Sequence, residues 1–196
     1  MKKILLLLLS ITFLSAPLSS FADTAQPREV VKSTIEQIVE ANNIYAAEDQ
    51  VDIRRNKLRE IINPNFNFQE MSKRALGAHW NNRSEAEQKE FTEIFSDLLA
   101  KTYLKRIDDV KTNVVTIDSE KIVKTKALVR TTITHDGQKF PMHYKMLQSA
   151  TGWRVYDIVI ENIGLVANYR NEFAGIIRKD TFAGLIEKLK KKSAQA

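Results

Sequence analysis

The chain of 196 residues contains no cysteine. That removes thiol nucleophiles, thiolate metal sites and disulfide staples together, and with them the lipid-modified cysteine that tethers a bacterial lipoprotein. The fold must therefore rely on its core, and the length is enough for one domain with a substantial one. Histidine is almost as scarce: His79, His135 and His143 are the full set, and none lies at metal-ligand spacing from another. No glycine-rich phosphate loop and no nucleophile elbow occurs. Each histidine reads as structural or exposed: His79 beside Trp80 at a helix end, His135 in a hairpin turn, His143 on the strand face opposite Met142.

Long apolar runs are also missing, with one exception. Lys2 and Lys3 precede Ile4 to Leu9, then Ile11, Phe13 and Leu14, and the segment closes with Ser20-Phe21-Ala22. This is the pattern of a secretory signal peptide, with cleavage expected after Ala22. Its apolar centre is too short for a stable membrane span; the other reading of the same residues is an uncleaved amphipathic anchor. Cleavage after Ala22 of the 196-residue chain leaves 174 residues, expected to be soluble and exported.

Basic charge is present but badly placed for nucleic acid. The formal net charge is +6, yet Lys2 and Lys3 belong to the leader, and Lys188, Lys190, Lys191 and Lys192 stand together near the C-terminus, so residues 23–187 sum to zero. No basic stripe interleaved with aromatics remains, which excludes a nucleic-acid footprint. The tail lysines suit a solvated helix end favoured by the helix dipole; the other reading is a docking patch for an acidic surface.

What is present is a change of period along the chain. Pro27 precedes Val31, Ile35, Ile38, Val39 and Asn42, spaced for one face of a helix, and proline suits a first helical turn. A second helix is expected over about 49–62, stopped by Asn63-Pro64. Ser84 with Glu87 forms a capping box, opening a helix to about Asp108 with Phe91, Ile94, Phe95, Leu98, Leu99, Thr102 and Tyr103 on a wide apolar stripe. From Lys111 the period drops to two. Four strands are expected at roughly 111–118, 121–134, 139–149 and 153–161, with turns at Ser119-Glu120, Asp136-Gly137 and 150–152. Such short links permit only antiparallel neighbours. Alternation puts Ala127, Val129, Thr131 and Ile133 on one strand face, and Phe140, Met142, Tyr144 and Met146 on another. Two helices, 166–178 and 181–192, close the chain. The expectation is an α+β fold: a four-stranded antiparallel meander covered by N- and C-terminal helices.

The stretch "GWRVYDIVIENIGLVANYRNEF" (152–173) stays apolar through its bend, as if something apolar lay against it. Asp157 within it is the one carboxylate placed for burial. It could serve acid–base chemistry in a cone-shaped fold or accept a buried hydrogen bond from a turn.

Together with "FNFQEMSKRALGAHW" (66–80) and "AEQKEFTEIFSDLLAKTY" (86–103), this stretch resembles the MlaC family, also called the toluene-tolerance auxiliary family, over nearly the whole exported chain. The resemblance implies a cone-shaped fold like nuclear transport factor 2 with an apolar cavity, in a periplasmic protein that carries diacyl phospholipid as cargo and uses no cofactor, metal or catalytic residue. It also implies two partners: an inner-membrane lipid ABC transporter complex with its substrate-binding hexamer, and an outer-membrane lipoprotein–porin complex. The carrier would shuttle glycerophospholipid between them to maintain outer-membrane lipid asymmetry. The Tyr156-Asp157 pair, the Leu165-Val166 pair and Asn168-Tyr169-Arg170 match the family pattern. The family's Gly-Val-Ser-Leu does not: Asn162-Ile163-Gly164-Leu165 stands in its place. The expected lipid-binding residues are Leu98, Leu99, Tyr103, Val129, Met142, Tyr144, Met146, Val155, Ile158, Leu165 and Tyr169. The other function classes in view are a cone-fold periplasmic enzyme using Asp157 and a non-lipid periplasmic adaptor with a filled core.

Overall fold

Pro27 fixes the first turn of a helix and surrenders no hydrogen bond there, and α1 (Pro27–Ile44) starts on it. The computed structural model describes residues 25–108, 114–135 and 137–195; the expected signal peptide and residues 111–113 of the expected first strand lie outside these. A 3-10 turn leads into α2 (Val51–Ile62), which ends in a second such turn at Asn63-Pro64-Asn65. Next comes α3 (Phe68–Leu76), capped by Asn67, whose Oδ1 accepts the Glu70 N–H at 2.9 Å. Sequence periodicity does not mark α3, because its nine residues make only about two and a half turns. The capping box at the start of α4 (Glu85–Asp108) is formed as expected. The Ser84 N–H donates to Glu87 Oε2 at 2.8 Å and the Glu87 N–H to Ser84 Oγ at 3.2 Å.

The sheet is an antiparallel meander in the order β1 (Val114–Val123), β2 (Lys126–His135), β3 (Gln138–Ser149), β4 (Gly152–Ile160), β5 (Ile163–Gly164). It has five strands rather than four. β5 is two residues long because the chain turns straight into helix at Leu165. The first hairpin also turns later than expected, at Lys124-Thr125 rather than Ser119-Glu120. β1 absorbs the polar residues by a bulge at Asp118, whose carboxylate accepts the Thr132 hydroxyl at 2.8 Å. Lys124 takes the positive φ of 54° that the tight turn needs.

Helix α5 (Leu165–Gln195) is two segments joined at Thr181, where φ 71° and ψ 174° interrupt the helix; the break falls where the two C-terminal helices were expected to meet. The second segment folds Phe182, Leu185, Ile186 and Leu189 into the core shared with α3 and α4. The tail lysines do end a helix. Lys190 pairs with Glu90 at 2.8 Å, Lys192 with Glu172 at 3.1 Å, and Lys188 with Asp180.

Candidate functional site

One face of the sheet is covered at one end and hollow at the other. Register aligns Ala127 with Met146 and Val155, then Val129 with Tyr144 and Ile158, then Thr131 with Met142 and Ile160, then Ile133 with Phe140. At the first of these rungs Val31 of α1 and Trp153 join Ala127, Met146 and Val155 in a buried cluster, whose Val31 and Val155 also border the cavity. Toward the last rung the side chains become only half-buried, and helices α1, α2, α3 and α4 stand off the sheet. The space between them is a cavity of about 530 Å³. Packed interiors leave few voids larger than one water, so a space of this size is a construction and not a packing defect.

Its wall is almost entirely apolar. Val30, Val31, Ile35 and Ile38 come from α1, Ile62 from α2, Phe66, Phe68 and Met71 from α3 and the turn before it, and Leu99, Ala100 and Tyr103 from α4. The sheet supplies Val115, Ile133, Phe140, Met142, Tyr144, Val155, Ile158 and Ile160, and α5 supplies Leu165. Among the described residues on the wall, only Arg59 and Glu161 carry charge. Arg59 is held on one side by a 3.1 Å bond from Nη1 to Asn56 Oδ1.

A bulge makes this wall possible. Strict alternation would separate Val155 from Ile158, but the β3–β4 register shifts between Lys145 and Met146, so both residues reach the cavity. The same shift turns Tyr156 and Asp157 together toward the helices. Asp157 is buried, takes a 2.9 Å ion pair from Lys145 and accepts the Val166 N–H at 3.0 Å. It thereby caps the first turn of α5, where carboxylates are favoured. Its two oxygens are committed to that bend, and it does not line the cavity.

The eleven expected contact residues therefore divide. Leu99, Tyr103, Met142, Tyr144, Val155, Ile158 and Leu165 line the cavity; Leu98, Val129, Met146 and Tyr169 do not. Leu98 lies one position round α4, in the helix core. Val129 and Met146, both without exposed surface, sit within the buried cluster beside the cavity. Tyr169 is enclosed by Phe95 and Phe173, with ring centroids 5.0 and 5.4 Å away, and burial pushes its phenol up to about 12. The walls contributed by α1 and α3 were not among the expected residues. For α1 the signal was legible, since Val31, Ile35 and Ile38 form its apolar face; for α3 it was not.

The MlaC protein family matches residues 28–191. A curated relative, the intermembrane phospholipid transport system binding protein MlaC of Haemophilus influenzae, is 21% identical over 164 residues, covering 79% of this chain and 77% of its own. The crystal structure of a phospholipid-binding protein from Ralstonia solanacearum, in complex with a phospholipid, superposes with a TM-score of 0.79 at 26% identity, covering 87% of this chain and 98% of that one. The chain belongs to the MlaC family.

Several residues that match the MlaC pattern turn out to be scaffold. Arg170 Nε donates at 2.6 Å to the carbonyl of Arg74, near the end of α3, and Arg74 stacks 4.3 Å over the Tyr156 ring. Asn162, standing where the MlaC pattern has glycine, has φ 69°, a left-handed conformation that asparagine tolerates better than most residues. Gly164 stands where the pattern has serine; a Cβ there would sit 3.4 Å from Asp157 Oδ2. No helix of the described residues is long and apolar enough to cross a membrane.

Proposed function

We propose that this chain is a periplasmic phospholipid carrier: residues 1–22 direct export, and residues 23–196 form one lipid-binding domain. The observation that carries the reading is the 530 Å³ apolar cavity with its charge confined to Arg59 and Glu161. Seven expected residues on its wall, from Leu99 to Leu165, are proposed to contact acyl chains, and the α1 and α3 side chains opposite join them. The Haemophilus influenzae and Ralstonia solanacearum relatives, a phospholipid-transport binding protein and a phospholipid-bound structure, support the same cargo.

Energetics set the mode of action. Two acyl chains of about sixteen carbons, at roughly 0.8 kcal/mol per buried methylene, represent about 25 kcal/mol of gross transfer free energy. Release into water is out of reach, so cargo passes only while the carrier is docked on a partner that opens or extends the cavity. The partners proposed are the inner-membrane ABC transporter complex with its substrate-binding hexamer and the outer-membrane lipoprotein–porin complex.

An enzyme on this frame would need a reactive group facing the cavity. Asp157 instead bonds Lys145 and the start of α5, and an adaptor would have no reason to keep the space open. Mass spectrometry of the purified protein under native and denaturing conditions tests the reading. One diacyl phospholipid per chain is expected; protein that is lipid-free across several preparations, and that takes up none from vesicles, overturns it.

A further inference from the structure

The cavity wall contains one hydroxyl without a good partner. Tyr144 lies on β3, paired on either side with Val129 and Ile158, and its ring faces the cavity among Met142, Val155 and Ile158. Its hydroxyl makes a single hydrogen bond among the described residues, to the sulfur of Met142 at 3.2 Å. A thioether is a weak acceptor. Buried tyrosine hydroxyls normally find a strong one. Burial alone pushes this phenol up to about 12, as expected of a group set in apolar surroundings.

Resting on the carrier reading above, we infer that Tyr144 is the polar reader of the cavity: its hydroxyl leaves Met142 and donates to an ester carbonyl of the cargo, so the protein selects ester-linked acyl lipids over ether-linked lipids of the same shape. The chemistry favours this acceptor over the others a phospholipid carries. A phosphate brought to Tyr144 would be an anion among the side chains of Met142, Val155 and Ile158, a heavily disfavoured burial. Hydrocarbon offers no acceptor at all. The neutral ester carbonyl is the strongest acceptor that can enter without charge. The Met142 sulfur keeps the hydroxyl occupied while the cavity is empty, and it is weak enough to be displaced.

The test loads delipidated protein from vesicles containing equal amounts of ester-linked diacyl and ether-linked dialkyl phosphatidylcholine of equal chain length. Native mass spectrometry then reads the ratio bound. The wild-type protein should favour the ester lipid about fivefold, the worth of one net hydrogen bond. Tyr144→Phe should lower ester loading to the level of the ether lipid. With an isotope-labelled carbonyl, the infrared ester stretch should lie at lower frequency in the wild-type complex than in the Tyr144→Phe complex, a change that a merely structural tyrosine would not produce. A wild-type ratio near one, or a preference that survives Tyr144→Phe, overturns the inference while leaving the carrier reading intact. Wild-type protein that loads neither lipid overturns the carrier reading, and this inference with it.

Discussion

Helix α4 has two faces that solve opposite problems. On one, Phe91, Phe95 and Leu98 are fully buried, and the rings of Phe91, Phe95, Tyr169 and Phe173 meet at centroid distances of 5.0 to 5.6 Å, several of them edge to face. On the other, Leu99, Ala100 and Tyr103 look across a void at the sheet. The aromatic face gains from area and from ring geometry, and it locks α4 against α5. The other face forgoes those contacts. A chain can leave 530 Å³ unfilled only if its stability is concentrated elsewhere, so the filled half is the reason the hollow half can exist.

Removing a ring from the filled half should break the molecule hardest. Phe95→Ala deletes a side chain with no exposed surface that touches three other rings. The expected loss is about 3–5 kcal/mol in urea unfolding of lipid-free protein. A loss below about 1 kcal/mol would mean that this half is not the one that carries stability.

Adding volume separates the halves more sharply than removing it. Met142 and Met146 stand on the same strand and the same face, one on the cavity wall and one fully buried in the cluster beside the cavity. Met146→Trp should overpack, costing about 1–3 kcal/mol, and leave lipid content largely in place. Met142→Trp should do the reverse: little change in the stability of the lipid-free protein, and a loss of bound phosphorus per chain because the indole takes the cargo's volume. Equal effects at the two positions would show that the face is not divided.

The bend between the halves comes next in size. Asp157→Ala removes a cap from α5 and a partner from Lys145. Lys145 is 39% exposed, so solvent screens the ion pair, and the main loss is the cap. About 1–2 kcal/mol is expected by thermal unfolding. An enzyme built on Asp157 would lose its activity with no change in lipid content; a carrier should keep its lipid.

Pattern in the sequence marked the filled half more clearly than the hollow one. The stripe on α4 and the faces of β2 and β3 follow from periods of 3.6 and 2, which backbone geometry imposes on any chain, and the capping box at Ser84 from the unpaired N–H groups that every helix start leaves. A cavity has no period. Leu98 and Leu99 are neighbours on the same stripe and both belong to the helix core, yet only Leu99 also reaches the void, because that distinction depends on where the helices stand off the sheet. Met146 and Met142 differ for the same reason. The bulge that brings Val155 and Ile158 to one face is likewise silent in a pattern of alternation, and α3 is too short to announce itself by periodicity.

The smallest expected effect lies in the filled half, where that half itself is strained. Thr181 adopts φ 71° and ψ 174°, a region that glycine enters freely and that disfavours a β-branched residue by about 1–3 kcal/mol. It is tolerated because the break sends Phe182, Leu185 and Leu189 back onto α4. Replacing Thr181 with glycine would relieve the strain. It would also lose the 3.5 Å contact in which Thr181 Oγ1 accepts the Gly184 N–H, worth a few tenths of a kcal/mol against glycine at a cap, and would loosen the unfolded chain by about 0.4–1 kcal/mol. Strain relief should exceed both, so Thr181→Gly is expected to raise stability by roughly 0.5–1 kcal/mol. Lipid content should stay fixed, since Thr181 is not on the cavity wall. Thermal unfolding with bound phosphorus measured on the same sample checks both halves of this statement. A gain in stability accompanied by lost lipid would mean that the kink in α5 also sets the width of the cavity, and that the two halves of the molecule are coupled through it.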